Sequence, residues 1–528
     1  MPVRQPDRVQ LIESHRVAMS QVYGGSRFYL DYLAGRADRY FTHPAGDAAA
    51  ALRSRQAADG PRAELAAVLC DYQHALGAPE AAQAAARALG EAGTLCVHTG
   101  QQAGFMGGPA YTLYKIVTAI RLAARYQEEF GRRCVPVFWL ASEDHDLGEI
   151  DHAHFLAGDG NVGRVRFQWR DAGRPISDLP VTDEVREAAR QYFDRVGDAP
   201  FAGYAAGLFA PRGGGFARSV AAALSRLFGN HGLVVLEPHL LRPLFPEFFA
   251  RAIAASGAVR RTLRAAAAAL TEDHYPVPLD PERAGTLFHT SGGPRERLAD
   301  GAPAPPVSHL STDAALRPVL ADLALPSLAT VLGPGEVAYQ AMLRGLYELF
   351  GVPQPLVAAR KGYTLVDSAA AAALEHYDLV PTQIVGPEFS VRAAFSAAVP
   401  ASERSRFAAV RDRLAELWAP LEGHVADVDP NLARTWQRSL GHARLALDRL
   451  EERTARALMS RRGAARQELQ ALRGLVWPRG RLQERVLPVA HFVSRYGAEL
   501  PAALLAACDP GEPDHEILVF RAPNGASD

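Results

Sequence analysis

The chain has 528 residues, of which 48% are hydrophobic and 22% charged, and its formal net charge is −1. It is too long for one ordinary domain and has ample apolar content for a core. The balanced charge gives no basic footprint for nucleic acid or an anionic membrane surface.

Cys70, Cys96, Cys134 and Cys508 are scattered with no CxxC pair, so neither a zinc knuckle nor a disulfide framework is expected. The N-terminal residues are polar and lack the apolar stretch of a signal peptide. No uncharged apolar run approaches membrane-span length. These features predict a soluble, cytoplasmic protein.

Residues 1–90 read as a helical layer on the core. Residues 9–32 suit one or two short helices broken at Gly24-Gly25, and residues 48–89 suit two more, separated near Gly77-Ala78-Pro79. Residues 91–150 read as a βαβ unit. Leu95 to Val97 is an apolar run, the glycines from Gly100 to Gly108 mark a turning loop, and Pro109 suits a first helical position. Ile116, Ala119, Ile120 and Ala123 share a helical face. Residues 135–140 form the second strand. Two polar loops, Thr99–Gln102 and Glu143–Asp146, therefore follow the carboxyl ends of parallel strands, where such sheets bind ligands.

Residues 151–230 read as a connecting insertion. It holds a turn after Phe155, an alternating strand from Arg164, a helix over 182–195 capped by Thr182, and a helix over 216–228. Residues 231–367 resume the core with a strand at 232–236, a helix over 245–270, a strand–turn–strand over 276–289, a buried strand at 328–332, a helix to Phe350 and a strand at 357–360. Residues 368–475 are rich in Ala, Arg, Glu and Leu. Leu440, Ala443, Leu447 and Leu450 follow heptad spacing, and the seam resumes at Leu458, Ala465, Leu469 and Leu472, so a coiled coil with a stutter or a long helical hairpin is expected. Residues 476–528 return to the core, with a strand at 516–520.

Three stretches carry candidate chemistry. Thr99-Gly100-Gln101-Gln102 with Lys115 suits a phosphate or carboxylate, or a tight structural turn. Gly333-Pro334-Gly335-Glu336 follows a strand and opens a helix, where Glu336 either faces the cleft or serves the helix dipole. Glu143-Asp144-His145-Asp146, with Glu149, Asp151, His152 and His154, could bind a metal ion, supply a general base, or be a solvated acidic loop. No HExxH spacing is present, and no metal-ligand set is assigned. Arg485 in Gln483-Glu484-Arg485 suits an anion clamp or a partner for Glu484.

In order, Thr99-Gly-Gln-Gln-Ala-Gly104 with Gly108-Pro109 and Tyr114-Lys115, Val135-Pro-Val-Phe-Trp139 with Glu143–Asp146, Ser311-Thr312 with Leu316-Arg317-Pro318, Gly333–Glu336 with Tyr339, Phe350-Gly351, and Gln483–Arg485 with Tyr496-Gly497 span nearly the whole chain. The ordered set resembles the bacillithiol biosynthesis cysteine-adding enzyme family. It departs from the family pattern at Ala359-Arg360 and at Glu237-Pro238-His239.

The resemblance implies an α/β fold, a Rossmann-like parallel-sheet core with inserted connecting segments and a long helical coiled-coil arm. It implies a ligase that adds cysteine to the amino group of glucosaminyl malate. Because a carboxylate is a poor acyl donor, ATP or another adenine nucleotide, with Mg2+ allowed as its counter-ion, would activate cysteine as an acyl-adenylate or acyl-phosphate. Asp144 and His145 are the expected catalytic residues. Thr99, Gly100, Gln101, Gln102, Lys115, Glu143, Asp146, Gly333, Gly335, Glu336, Tyr339, Arg360, Arg485 and Tyr496 are the expected binding residues. The nucleotide belongs either to the sheet cleft or to the base of the arm near Arg485 and Tyr496. A homodimer through the arm is expected. The competing readings are a metal-dependent hydrolase using Asp144, His145, Asp146 and His152, and a non-catalytic coiled-coil scaffold.

Overall fold

The computed structural model describes residues 9–521, apart from 24–25, 56–59, 158–159, 170–172, 377–378, 380–381, 383–384, 386–400, 430–431 and 462–465. The first described element is a strand, β1 (Gln10–Val17), where helix was expected. Helices begin only at Met19–Val22 and Arg27–Leu33. β1 pairs antiparallel with residues near the opposite terminus, so a reading of local pattern had no partner to weigh.

The main sheet starts with β2 (Leu95–Gln101). The expected polar loop is strand through Gln101, because Gly100 has no Cβ to strike the Trp139 carbonyl oxygen, which would lie 2.8 Å away. The crossover helix α1 (Tyr111–Phe130) buries Ile116, Ala119, Ile120 and Ala123 as the spacing predicts, and ends at Gly131 in the left-handed region. Pro109 precedes the cap residue rather than opening the helix. It bridges to Pro488, tying the start of α1 to the C-terminal return. β3 (Cys134–Leu140) is buried along its whole length, as a central parallel strand should be.

The first insertion carries the antiparallel hairpin β4 (His152–Leu156) and β5 (Val162–Arg166), then a helix at Asp183–Val196 whose Thr182 hydroxyl caps the Val185 N–H, and another at Phe216–Phe228. The sheet resumes at β6 (Val234–Leu236). The helix expected over 245–270 divides at Ala255 into Pro246–Ala254 and Ser256–Glu272. The expected strand–turn–strand yields only β7 (Leu287–His289), which joins β8 (Glu296–Arg297) and β9 (Leu310–Thr312). Pro276, Pro278 and Pro281 lack the N–H groups that the first strand would need.

Next come α2 (Leu316–Ala324), β10 (Ser327–Leu332), α3 (Pro334–Gln340), α4 (Arg344–Phe350) and β11 (Leu356–Ala359). The sheet order is β11-β10-β2-β3-β6, with every pair parallel. The chain fills one side through β3 and β6, then crosses to β10 and β11. The direction of winding therefore reverses between β2 and β10, which makes their carboxyl ends a topological switch point.

A second sheet, β1-β13-β12, joins β1 to β12 (Tyr363–Asp367) and β13 (His515–Arg521). The arm lies between these last two strands in sequence. Its helices α5 (Ala401–Val428) and α6 (Leu432–Arg461) form an antiparallel hairpin: Arg411 pairs with Asp448 and Glu451, and the Trp436 indole donates to the Trp418 carbonyl. Of the expected seam, Leu440 is buried and Ala443 and Leu447 are half-buried. Leu450 faces outward at 55% exposure, so the heptad register does not hold there. Ala465, and the side chains of Leu458 and Leu469, lie outside the described residues, and Leu472 is buried at the root of the arm. Among the described residues no helix is long and apolar enough to cross a membrane. The return segment carries α7 (Gln483–Val486) and α8 (Val489–Tyr496).

Candidate active site

A cavity of about 420 Å³ opens at the switch point. Its walls include Gly100, Gln101 and Gln102 from the end of β2, Lys115 and Tyr111 from α1, Asp144 and Glu149 after β3, and Gly333, Gly335, Glu336 and Tyr339 after β10. Hydrogen bonds knit these segments together. Gln102 Nε2 donates to Asp144 Oδ2 at 2.7 Å. Lys115 Nζ donates to the Gly100 carbonyl, to Gln101 Oε1 and to Glu336 Oε1, at 2.8, 2.8 and 2.7 Å. Glu336 Oε2 also accepts the Gly333 N–H at 2.8 Å. Lys115 thus spends its three protons holding the first loop to the third. Burial pulls its ammonium below the usual lysine range, while Glu336 favours the charged form.

Asp144 is the best-placed acid. Burial works against its charge, but the Gln102 amide, the His145 backbone N–H, Arg317 and Arg295 outweigh it, and the carboxyl falls below its ordinary value. Glu149 moves the other way: burial and the nearby Asp146 and Asp144 raise it. Arg317 of α2 also lines the cleft beside Tyr339, and Tyr339, Asp144 and Glu336 favour its charge. Among the described residues no carboxylate forms an ion pair with Arg317. Arg360 lines the same wall but is committed to Glu484 by a buried two-pronged pair that the Tyr23 hydroxyl joins. Glu484 is therefore paired with Arg360 and not with its neighbour Arg485.

Five expected residues are not on the cleft. The Thr99 hydroxyl donates to the Val331 carbonyl and pins β2 to β10. Glu143 is buried against Arg242. His145 Nδ1 lies 3.0 Å from Arg295 Nη1, and its ring tilts over Phe288. Asp146 caps the next turn by accepting the Gly148 N–H. Tyr496 is fully buried against Phe520. The four-residue metal set of the hydrolase reading does not gather either. Beyond the turns of His145 and Asp146, His152 bonds Asp151, and among the described residues no three His, Cys, Asp or Glu side chains form an ion site.

The comparisons agree with this architecture. Residues 15–304 and 304–361 match the family model "Bacillithiol biosynthesis BshC, N-terminal Rossmann-like domain", and residues 363–520 match "Bacillithiol biosynthesis BshC, C-terminal coiled-coil domain". The chain belongs to the bacillithiol biosynthesis BshC family. Proteins from Symbiobacterium thermophilum (31% identical, covering 84% of this chain and 87% of the relative), Solibacter usitatus (29%, 82% and 86%) and Koribacter versatilis (29%, 95% and 99%) each bear the name "Putative cysteine ligase BshC". The Rossmann-like core and the coiled-coil arm are as expected, and the relatives' names agree with the expected ligase class.

In this BshC-family chain a second cavity, about 320 Å³, lies where the arm rejoins the core. Arg164 of β5, His152 and His154 of β4, and Arg479, Arg481 and Arg485 of the return segment line it. Glu149 and Arg485 border both cavities. Among the described residues none of the four arginines has a carboxylate within ion-pair distance. His154 lies 3.0 Å from Arg479 Nη1, and burial with the surrounding cations pulls its imidazole down to about 4. Arg164, Arg479 and Arg481 escaped the sequence reading because they come from segments more than 300 residues apart. Arg317 was in plain view in the Leu316-Arg317-Pro318 stretch but received no role. His98, Trp139, Thr330 and Gln340 also line the main cleft, and nothing in local pattern singled them out.

Proposed function

We propose that this chain is a cysteine ligase that joins the carboxyl group of cysteine to the amino group of glucosaminyl malate. The observation that carries this reading is the convergence of three polar segments on one cleft, with an ionised Asp144 and an Arg317 that has no carboxylate ion-pair partner among the described residues. A carboxylate held at low pKa suits an incoming ammonium group, and an unpaired guanidinium suits a substrate carboxylate. Gln102 keeps Asp144 in place, while Lys115 and Glu336 keep the two loop edges at fixed separation.

The basic cavity at the arm root suits the phosphates of an adenine nucleotide, because four arginines that have no carboxylate at ion-pair distance among the described residues call for a polyanion. Once bound, the nucleotide supplies the phosphoryl or adenylyl group that activates the cysteine carboxylate, and Mg2+ is allowed beside it. Arg485 and Glu149 border both cavities and would stand between donor and acceptor. A cytoplasmic setting fits four cysteines that are all free thiols.

The test is reconstitution with cysteine, glucosaminyl malate and ATP, following thiol product and AMP against ADP. Asp144→Asn should lower turnover by about 10²-fold or more with an unchanged fold. Absence of product from the wild-type chain under every nucleotide condition, or full activity in Asp144→Asn, would overturn the assignment.

The arm fits a second copy of this chain. Val410, Leu417, Leu421 and Val428 are 48 to 69% exposed and spaced 7, 4 and 7 along α5, as an outward heptad seam would be. Replacing Leu417 and Leu421 by Glu should shift the sedimentation coefficient from dimer to monomer; a wild-type monomer would sink this part.

A further inference from the structure

The floor of the cleft holds a histidine with no part in the scheme above. His98 stands on β2, in register with Thr330 of β10 and Val137 of β3. Its side chain lines the cavity with Thr330, Ala321 and Gln340. Its Nε2 lies 2.8 Å from Oδ1 of Asp322, a carboxylate with 0% side-chain exposure. Asp322 Oδ2 accepts the Tyr347 hydroxyl at 2.5 Å, and the Tyr347 oxygen accepts from Gln340 Nε2 at 3.1 Å. The buried chain thus begins and ends on the cleft.

An ionised carboxylate can only accept, so Asp322 fixes the ring proton on Nε2 and leaves Nδ1 as an acceptor. Among the described residues Nδ1 has no hydrogen-bond partner. It also differs from the Trp139 indole nitrogen nearby, which is sealed and unpaired. The titratable and charged groups around the pair are Asp322 and Arg317 from α2, Glu336 and Tyr339 from α3, Tyr347 from α4 and Lys115 from α1, with Arg55 acting on Asp322 from behind.

We propose that His98, held by Asp322, is the catalytic residue that accepts the proton of the attacking amine. This rests on the ligase reading. His98 Nδ1 takes one proton from the ammonium held at Asp144, the freed lone pair forms the C–N bond to the activated acyl carbon, the bond from that carbon to its phosphate oxygen breaks, and the second proton lost by the nitrogen leaves with that phosphate. The electron pair leaves with the phosphate, and the imidazolium later returns its proton to solvent. Asp144 then holds the amine and His98 takes its proton, a division of labour that one low-pKa carboxylate could not perform alone.

The experiment is steady-state turnover of the full chain with cysteine, glucosaminyl malate and ATP. His98→Gln should lower kcat by about 10²-fold with KM for both substrates within about threefold. The acid limb of kcat, present in the wild type between about pH 5 and 8, should vanish in the variant. Asp322→Asn keeps the size of the partner but donates to Nε2, which puts the proton on the wrong nitrogen, and should cost a similar factor. Unchanged kcat in either folded variant overturns the proposal, as does a wild-type kcat that is flat across that pH range. A loss of melting temperature with normal kcat would mean that the pair only staples β2 to α2. If the wild-type chain makes no thiol product, the ligase reading fails first; if it does and His98→Gln matches it, only the role of His98 falls.

Discussion

The two cavities meet at Glu149 and Arg485, and Lys115 and Arg360 of the first are used in the opposite way to the arginines of the second. In the sheet cleft, Lys115 is spent on Gly100, Gln101 and Glu336, and Arg360 is locked to Glu484. These side chains look like ligand contacts in a sequence but serve as beams between segments. At the arm root, Arg164, Arg479, Arg481 and Arg485 converge beside a single acid, Glu149, and among the described residues none has a carboxylate within ion-pair distance, so their charge is left for something else to neutralise. A cation near a site is therefore informative only when its partner is known: prepaired charge builds the frame, and unpaired charge waits for a ligand.

That contrast can be broken in three places. The largest effect belongs to the frame. Glu484→Gln leaves the fully buried Arg360 charge uncompensated and should cost about 3–5 kcal/mol, read as a drop in the denaturant midpoint; a loss below about 1 kcal/mol would show that the pair is dispensable. At the arm root, Arg479→Ala and Arg481→Ala should each weaken ATP binding by about tenfold, the worth of one charge-assisted bond, with the melting curve unmoved. Equal losses in calorimetric affinity and in stability would place these arginines in the frame instead.

The smallest effect concerns pH. His154, His491 and His515 are pulled by burial to about 4, about 3 and about 4, from an ordinary 6.5. Between those values the unfolded chain takes up protons that the folded chain refuses, so stability falls as pH drops from about 6.5 toward 4. Among the described residues neither ring nitrogen of His491 has a hydrogen-bond partner. His491→Leu should therefore gain about 1 kcal/mol at pH 7 and flatten the acid slope, as measured by urea melts at pH 7 and pH 5.

The core was legible where one strand or helix carries its own signal. The apolar run of β3, the face of α1 and the Gly333 turn all announce themselves locally, and the parallel sheet follows from their alternation. The cleft loops were legible because ligands sit at strand ends. What local pattern could not supply was direction. Asp144 and His145 are neighbours in sequence, yet one side chain turns to Gln102 and the other to Arg295, whose contacts were 150 residues away. β1 was misread for the same reason: its alternation is weak, and its strand character comes from β13.

That last pairing has a consequence for synthesis. β13 lies between β1 and β12 in the sheet, so both strands must wait for one that is translated after the arm. The Rossmann-like strands can assemble while the ribosome is still extending the arm, but the small sheet closes only after β13 emerges. Until then β1 is an open edge beside unfinished chain, and translation that stops inside the arm leaves it unmatched. A product truncated within the arm would leave the β1 edge exposed, and proteolysis of such fragments should start there.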